Sequence, residues 1–168
     1  MLQAEAAKVY ESLFPILFRI AYRITGNRAK AEDISQEAFL KYFERGQSLP
    51  DLEQTKYWLI RVLRNLALNH EKKKSREAKA YQRFVRNAPQ FAESGEAEVL
   101  SEETRSIVQQ SLDRLPYNLR IVLVLKEYGD LGYREIAKIL GISEGNVKVR
   151  VFRACLLYTS PSPRDRTR

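Results

Sequence analysis

Cysteine and histidine are almost absent from this chain: Cys155 and His70 each stand alone. A single thiol excludes an intrachain disulfide framework and fits a reducing compartment. One imidazole with no cysteine cluster near it is a poor basis for a zinc site. Without a paired carboxylate array it is also a poor catalytic centre, so His70 reads as a polar surface residue. Long apolar runs are missing as well. No stretch approaches the roughly 18 residues of a membrane span, and no charged–apolar–small leader opens the chain. Sustained strand alternation is absent. With these absences the expectation is a soluble, cytoplasmic, all-α protein with no membrane insertion, metal or cofactor.

Positive charge is plentiful and unevenly distributed. The net charge is +8. Residues 1–79 carry 15 Lys/Arg against 10 Asp/Glu, residues 80–104 carry 2 against 5, and residues 105–154 carry 9 against 5. Two basic blocks flank an acidic one, a pattern that suits two surfaces for a polyanion joined by a segment that avoids it.

Helical periodicity dominates the first block. Leu13, Leu17, Ile20 and Ile24 recur every three or four residues until Thr25-Gly26-Asn27 supplies a stop. Pro15 falls early in that pattern and is expected to mark a first turn or a kink. A second helix is predicted from about Lys30 to Glu44, with Ala31, Ile34, Ala38 and Tyr42 on one face and Gly46 ending it. A third is predicted from about Thr55 to Arg76, burying Trp58, Leu59, Val62, Leu63 and Leu66. From Asn87 the pattern dissolves among Pro89, Ser94, Gly95 and five glutamates, which reads as a flexible acidic linker. Helical signals return at Ile107, pause at Leu115-Pro116 and break again at Gly129 and Gly132.

The second block carries the most specific local signal, Tyr133 to Arg153. A helix-turn-helix needs a small residue where its helices cross, and Ala137 provides it. Four residues on, Gly141 stands where the turn demands a positive φ. Ile142 and Val147 are placed to plug the interface, and Ser143 suits the N-cap of the second helix. With Val147, Val151 and Ala154 facing inward, Asn146, Lys148, Val149, Arg150, Phe152 and Arg153 remain for a major groove.

In the third helix Arg61, Asn65 and Asn69 follow at intervals of four and share one face, expected opposite the Trp58-Val62-Leu66 stripe. Arg64 lies beside them, and Lys72, Lys73, Lys74, Arg76 and Lys79 extend the same helix. Cations can hold phosphates there while asparagines bond the edges of exposed bases. Trp58 suits core packing better than base stacking.

Three segments in this order and spacing give the chain a family likeness. Leu17 to Arg28, followed by Ala31 to Phe39, is similar to a polymerase-binding helix. Tyr57 to Ala67, with its basic continuation, is similar to a promoter-melting helix. Leu115 to Arg153 is similar to the domain that reads an upstream promoter element. The chain thus resembles the extracytoplasmic-function (ECF) branch of the bacterial sigma factors over residues 5–154. The resemblance implies two helical domains, 5–86 and 105–154, joined by a linker at 87–104.

It also implies roles. Glu32, Asp33, Gln36 and Glu37 would dock on the clamp of the largest subunit of core RNA polymerase, with the polymerase flap a further contact. Asn65 would line a pocket for a base flipped from the minus-ten element, flanked by Arg61, Arg64 and Asn69 and followed by Lys72 and Lys73. Lys148, Phe152 and Arg153 would contact the minus-thirty-five element, with Arg150 on a phosphate. An anti-sigma protein is implied as inhibitor, and a monomer when free. Asn69 and His70 depart from the family's common pattern of an acidic and an apolar residue, which leaves the base preference open. Residues 155–168, rich in Ser, Pro and Arg, read as unrelated to what precedes them, with the basic helix expected to stop at Ala154. Rival readings are an autonomous helix-turn-helix regulator and a small helical nuclease.

Overall fold

The structure is a computed structural model and describes residues 3–87 and 106–159. Among the described residues every regular element is an α-helix: α1 (Gln3–Thr25), α2 (Arg28–Glu44), α3 (Leu52–Asn87), α4 (Ile107–Arg114), α5 (Tyr117–Glu127), α6 (Tyr133–Leu140) and α7 (Glu144–Thr159).

Side-chain chemistry explains most of the boundaries. Thr25 turns its hydroxyl back onto the Ala21 carbonyl at 2.9 Å, and Gly26 (φ +68) takes the left-handed turn that ends α1. Asn27 then caps α2, its Oδ1 accepting from the Lys30 amide at 3.0 Å. Asp51 caps α3 through the Gln54 amide at 2.7 Å, which starts that helix at Leu52, a turn ahead of the expected Thr55. Ser106 caps α4, and Leu115-Pro116 breaks the chain between α4 and α5 as the sequence suggests. Pro15 lies in the interior of α1 on its exposed side, well past the first turn, where water can satisfy the carbonyl its ring leaves without a donor.

Helices α1, α2 and α3 form the first module. Leu13, Leu17, Ile20 and Ile24 of α1 meet Ala31, Ala38, Phe39 and Tyr42 of α2 and Leu59, Ile60, Leu63 and Ala67 of α3, all buried. Full burial of each Leu or Ile contributes about 1.5–3 kcal/mol. The deep seam of α3 differs from the expected one: Trp58, Val62 and Leu66 are only half-buried and border it. Trp58 packs on Tyr42 with ring centroids 5.7 Å apart, and the Arg45 guanidinium lies 5.0 Å from its ring, so it does face the core rather than stand free. The second module, α4 to α7, closes over Leu112, Leu119, Val122, Leu125, Ile136, Val147 and Val151.

The two modules share one continuous apolar core and touch where α1 ends. Arg120 of α5 is buried and donates from Nη1 to the Ile24 carbonyl at 2.6 Å. Gln109 of α4, also buried, donates from Nε2 to the Arg23 carbonyl at 3.3 Å and to Asp113 Oδ1 at 2.9 Å. Arg23 returns a bond from Nη1 to Gln109 Oε1 at 3.3 Å, and its guanidinium lies 5.1 Å from the Tyr128 ring. The last turn of α1 therefore has its orphan carbonyls capped by side chains of the other module. A Cβ at Gly26 would come within 2.8 Å of Asp113 Oδ1, so a larger residue there would have to displace that carboxylate as well as adopt a positive φ.

Two helices run past their expected ends. α3 continues to Asn87 instead of stopping near Arg76, because Ala, Glu, Lys and Arg favour helix even where nothing packs. α7 continues through Cys155 to Thr159, beyond the expected stop at Ala154, and Tyr158 is half-buried against the core. The acidic linker beyond Asn87 and the Ser/Pro/Arg stretch beyond Thr159 lie outside the described residues.

Candidate nucleic-acid interface

The helix-turn-helix forms as its residues dictate. Gly141 (φ +69) closes α6 with its amide on the Ala137 carbonyl at 2.8 Å, and the Ile142 amide reaches the same oxygen at 3.1 Å. Ser143 Oγ accepts from the Asn146 amide at 3.1 Å and starts α7. Val147, Val151 and Ala154 are buried, while Ile142 is half-buried at the crossing. On the outer side Asn146, Lys148, Val149, Phe152 and Arg153 are exposed and Arg150 is half-exposed. Phe152 is 65% exposed, an unusual position for an aromatic ring with no burial role. Arg150 Nε donates to Asn146 Oδ1 at 3.1 Å, and Lys148 Nζ lies 4.0 Å from Glu144 and 5.9 Å from the Tyr133 ring. These contacts hold the cationic side chains upright on the helix.

On α3, Arg61, Asn65 and Asn69 are exposed and lie opposite the Leu59-Leu63-Ala67 seam. Lys72 and Lys73 are exposed further along, Lys73 in an i,i+4 pair with Glu77 at 4.0 Å. Arg64 departs from the expected placement. It is half-buried, turned toward the second module, where its charge acts on Tyr117, and its Nη1 donates to Asn65 Oδ1 at 3.0 Å. It thus orients the Asn65 carboxamide instead of standing on the open face with it.

Two depressions flank this face. A groove of about 710 Å³ between the modules is lined by Tyr57, Trp58 and Arg61 of α3 and by Glu135 and Lys138 of α6. A shallower one of about 530 Å³ is lined by Asn69, Lys72, Ser75 and Arg76. Asn65 lines neither.

α2 presents the opposite charge. Glu32, Asp33, Gln36 and Glu37 are all exposed along one side, while Ala31, Ile34, Ser35, Ala38 and Phe39 are buried on the other. Gln36 Nε2 donates to Glu32 Oε1 at 3.4 Å. The acidic side is thus kept apart from the cationic sides of α3 and α7.

His70 is half-buried rather than on the surface. Burial first, then the nearby charges of Lys30 and Lys74, lower its pKa and keep it neutral. Tyr117 is half-buried with its hydroxyl unpartnered, and burial pushes its pKa up to about 12. Among the described residues no cluster of three His, Cys, Asp or Glu could hold a metal ion, and no helix is long and apolar enough to cross a membrane.

Arg120 and Gln109, which join the modules, are not among the residues that sequence pattern points to. The one signal for Arg120 is its place as a single arginine inside the otherwise apolar run Leu119–Leu125.

Comparison with known proteins gives these faces a context. The family model for Sigma-70 region 2 matches residues 9–77, and that for Sigma-70, region 4 matches residues 105–156. Over 145 residues the chain is 32% identical to the ECF RNA polymerase sigma factor SigW of Bacillus subtilis strain 168, covering 82% of this chain and 78% of that one. It is 33% identical over 130 residues to the ECF RNA polymerase sigma-E factor of Escherichia coli strain K12, covering 73% and 68%. Its fold is similar to that of the sigma factor RpoE in complex with the anti-sigma factor NepR from Bartonella quintana, with a TM-score of 0.66 over 90% of this chain and 92% of that one at 22% identity.

Proposed function

The chain belongs to the ECF branch of the sigma-70 family of RNA polymerase sigma factors, and we propose that it works through three exposed faces of this fold. As a member of that family it is a promoter-specificity factor for RNA polymerase.

The α2 face bearing Glu32, Asp33, Gln36 and Glu37 docks on a basic helix of the polymerase clamp, offering carboxylate and amide acceptors. On α3, Arg61, Asn69, Lys72 and Lys73 hold the melted minus-ten strand, and Asn65 hydrogen-bonds the edge of an extruded base. Extruding that base costs a few kcal/mol of stacking, which hydrogen bonds to its edge offset and make selective. Asn146, Lys148, Val149, Arg150, Phe152 and Arg153 of α7 read the minus-thirty-five element, with the polymerase flap as a neighbour. The domains are 5–86 and 105–154, the second carried on through the rest of α7 to Thr159, with 87–104 between them. The protein works in the cytoplasm as a monomer when free, carries out no chemistry itself and is held in check by an anti-sigma protein. The RpoE–NepR pair, a neighbour in fold, supports that last partner.

The observation that carries this reading is the segregation of charge onto separate helix faces, acidic on α2 and cationic on α3 and α7. An autonomous helix-turn-helix regulator would leave the α2 and α3 faces without a task. Pull-down of core polymerase tests the reading. Glu37→Lys is expected to abolish association while leaving the helical content unchanged, and undiminished association would overturn it.

A further inference from the structure

The cationic face of α3 does not end where the candidate minus-ten residues end. From Asn69 onward, Lys72, Arg76, Lys79, Arg83 and Arg86 follow at intervals of three or four residues, which keeps them on one side of the helix. No acidic residue shares that side: the remaining carboxylate in this stretch, Glu77, lies elsewhere on the helix and pairs with Lys73. Residues 72 to 86 carry seven Lys/Arg against one Asp/Glu. Among the described residues no carboxylate lies within ion-pair range of Arg76, Lys79, Arg83 or Arg86. The match to Sigma-70 region 2 stops at residue 77, so Lys79, Arg83 and Arg86 fall beyond it.

This half of the helix also buries nothing. Every residue from Lys72 to Phe84 is exposed. A helix of about 15 residues with no packed face is marginal in water, because most helical stability in proteins comes from an apolar side laid on a core. Its composition is that of a helix that meets a polyanion.

We propose that the distal half of α3, through Arg76, Lys79, Arg83 and Arg86, is a sequence-independent phosphate grip for duplex DNA flanking the melted promoter segment. Continuity sets the ligand. The stripe prolongs the face that carries Asn65 and Asn69, and a depression lined by Asn69, Lys72, Ser75 and Arg76 joins the two halves. From Lys72 to Arg86 the helix advances about 21 Å at 1.5 Å per residue. That length parallels about six base pairs, where duplex DNA offers one phosphate charge per roughly 1.7 Å of axis. Phosphate contacts fix position and carry no sequence information, so a grip made on them adds affinity and register rather than sequence preference.

The grip rests on the proposed promoter role, and the test separates the two. Holoenzyme made with the wild-type chain or with Lys79→Gln/Arg83→Gln/Arg86→Gln is titrated, across salt concentrations, with two promoter fragments. One fragment carries duplex on both sides of the melted segment, and the other carries the single-stranded segment alone. Gln keeps helix propensity while removing charge. On the flanked fragment the variant is expected to bind about ten- to fortyfold more weakly, with the log–log salt slope smaller by between about two and three, in line with about 0.9 per phosphate contact. On the single-stranded fragment it should match wild type, and Arg83→Lys/Arg86→Lys should largely restore flanked binding. An unchanged salt slope, or equal loss on both fragments, would overturn the grip. So would weaker association with core polymerase before DNA is added, since the stripe would then meet a protein, for which the exposed Tyr81 and Phe84 on other sides of the helix would also be suited. If wild-type holoenzyme itself showed no preference for promoter over random DNA, the promoter role would fail instead.

Discussion

The Arg120 guanidinium donates to the Ile24 carbonyl at 2.6 Å, with both residues buried, so the last turn of α1 is capped by a charge from another module. A hydrogen bond to a charged group contributes about 1.5–3 kcal/mol, and leaving a buried carbonyl without a donor costs a similar amount. Arg120→Met keeps the apolar stem and removes the cap. It is expected to destabilise the chain by about 2–3 kcal/mol, read as a lower midpoint in urea. Amide exchange should rise first at the end of α1 and in α4, the elements the cap joins. Uniform loss of protection in both modules would count against a local role.

The same contact constrains how a promoter can be engaged. α3 touches α6, and α6 packs on α7. With packed helices about 8–10 Å apart axis to axis, the DNA-facing sides of α3 and α7 lie on the order of 20–40 Å apart. Promoter elements about 25 base pairs apart are separated by about 85 Å of straight duplex. Under the proposed roles of α3 and α7, the modules are expected to part before both elements are held at once. With dyes on the exposed Cys155 and on Glu11→Cys, energy transfer should fall when core polymerase binds. Constant transfer through promoter binding would refute the separation.

Asn65 and Arg64 should behave differently despite being adjacent. Asn65→Ala removes the proposed base contact and is expected to flatten preference at one minus-ten position, at about 1–3 kcal/mol of discrimination. Arg64→Ala leaves the carboxamide but frees it from the 3.0 Å bond that orients it. Preference at the same position should weaken, while affinity for promoters mismatched there stays nearly constant. Run-off transcription on promoters varied at that position checks both.

Tyr117 gives a pH signature. Its buried, unpartnered hydroxyl ionises only at about 12, against 10.0 for a free tyrosine. Because the folded pKa is raised, its contribution to stability is intact below pH 10 and is lost as pH rises toward 12. Tyr117→Phe should remove that part of the alkaline decline. Near neutrality it should be neutral or stabilising by up to about 1 kcal/mol, since nothing bonds the hydroxyl. Chemical denaturation at neutral and alkaline pH reads both effects.

Much of the fold was legible because its signals are local. Gly26, Gly141, Ser143 and Leu115-Pro116 act within a turn of themselves, and each stands where the sequence places it. The exposed sides of α2 and α7 were legible too, since a spacing of three or four residues fixes what shares a helix face. The distal half of α3 has no apolar repeat to follow, only propensity, so its full length is not marked in the sequence. The composition changes at Cys155 while the helix runs on to Thr159, so the end of α7 is not marked in the sequence.

The amino-acid order alone determined the helices, the turn of the helix-turn-helix, the separation of charge and the family resemblance, because all of these rest on residues near one another in the chain. Tertiary structure alone decided that Arg120 and Gln109 close on the end of α1, that Arg64 steadies Asn65 from the side, and that Leu59, Leu63 and Ala67 form the deep seam of α3. Those relationships join residues as many as 96 positions apart, or depend on which neighbour covers a face. Periodicity along one helix carries no information about the helix that will pack against it.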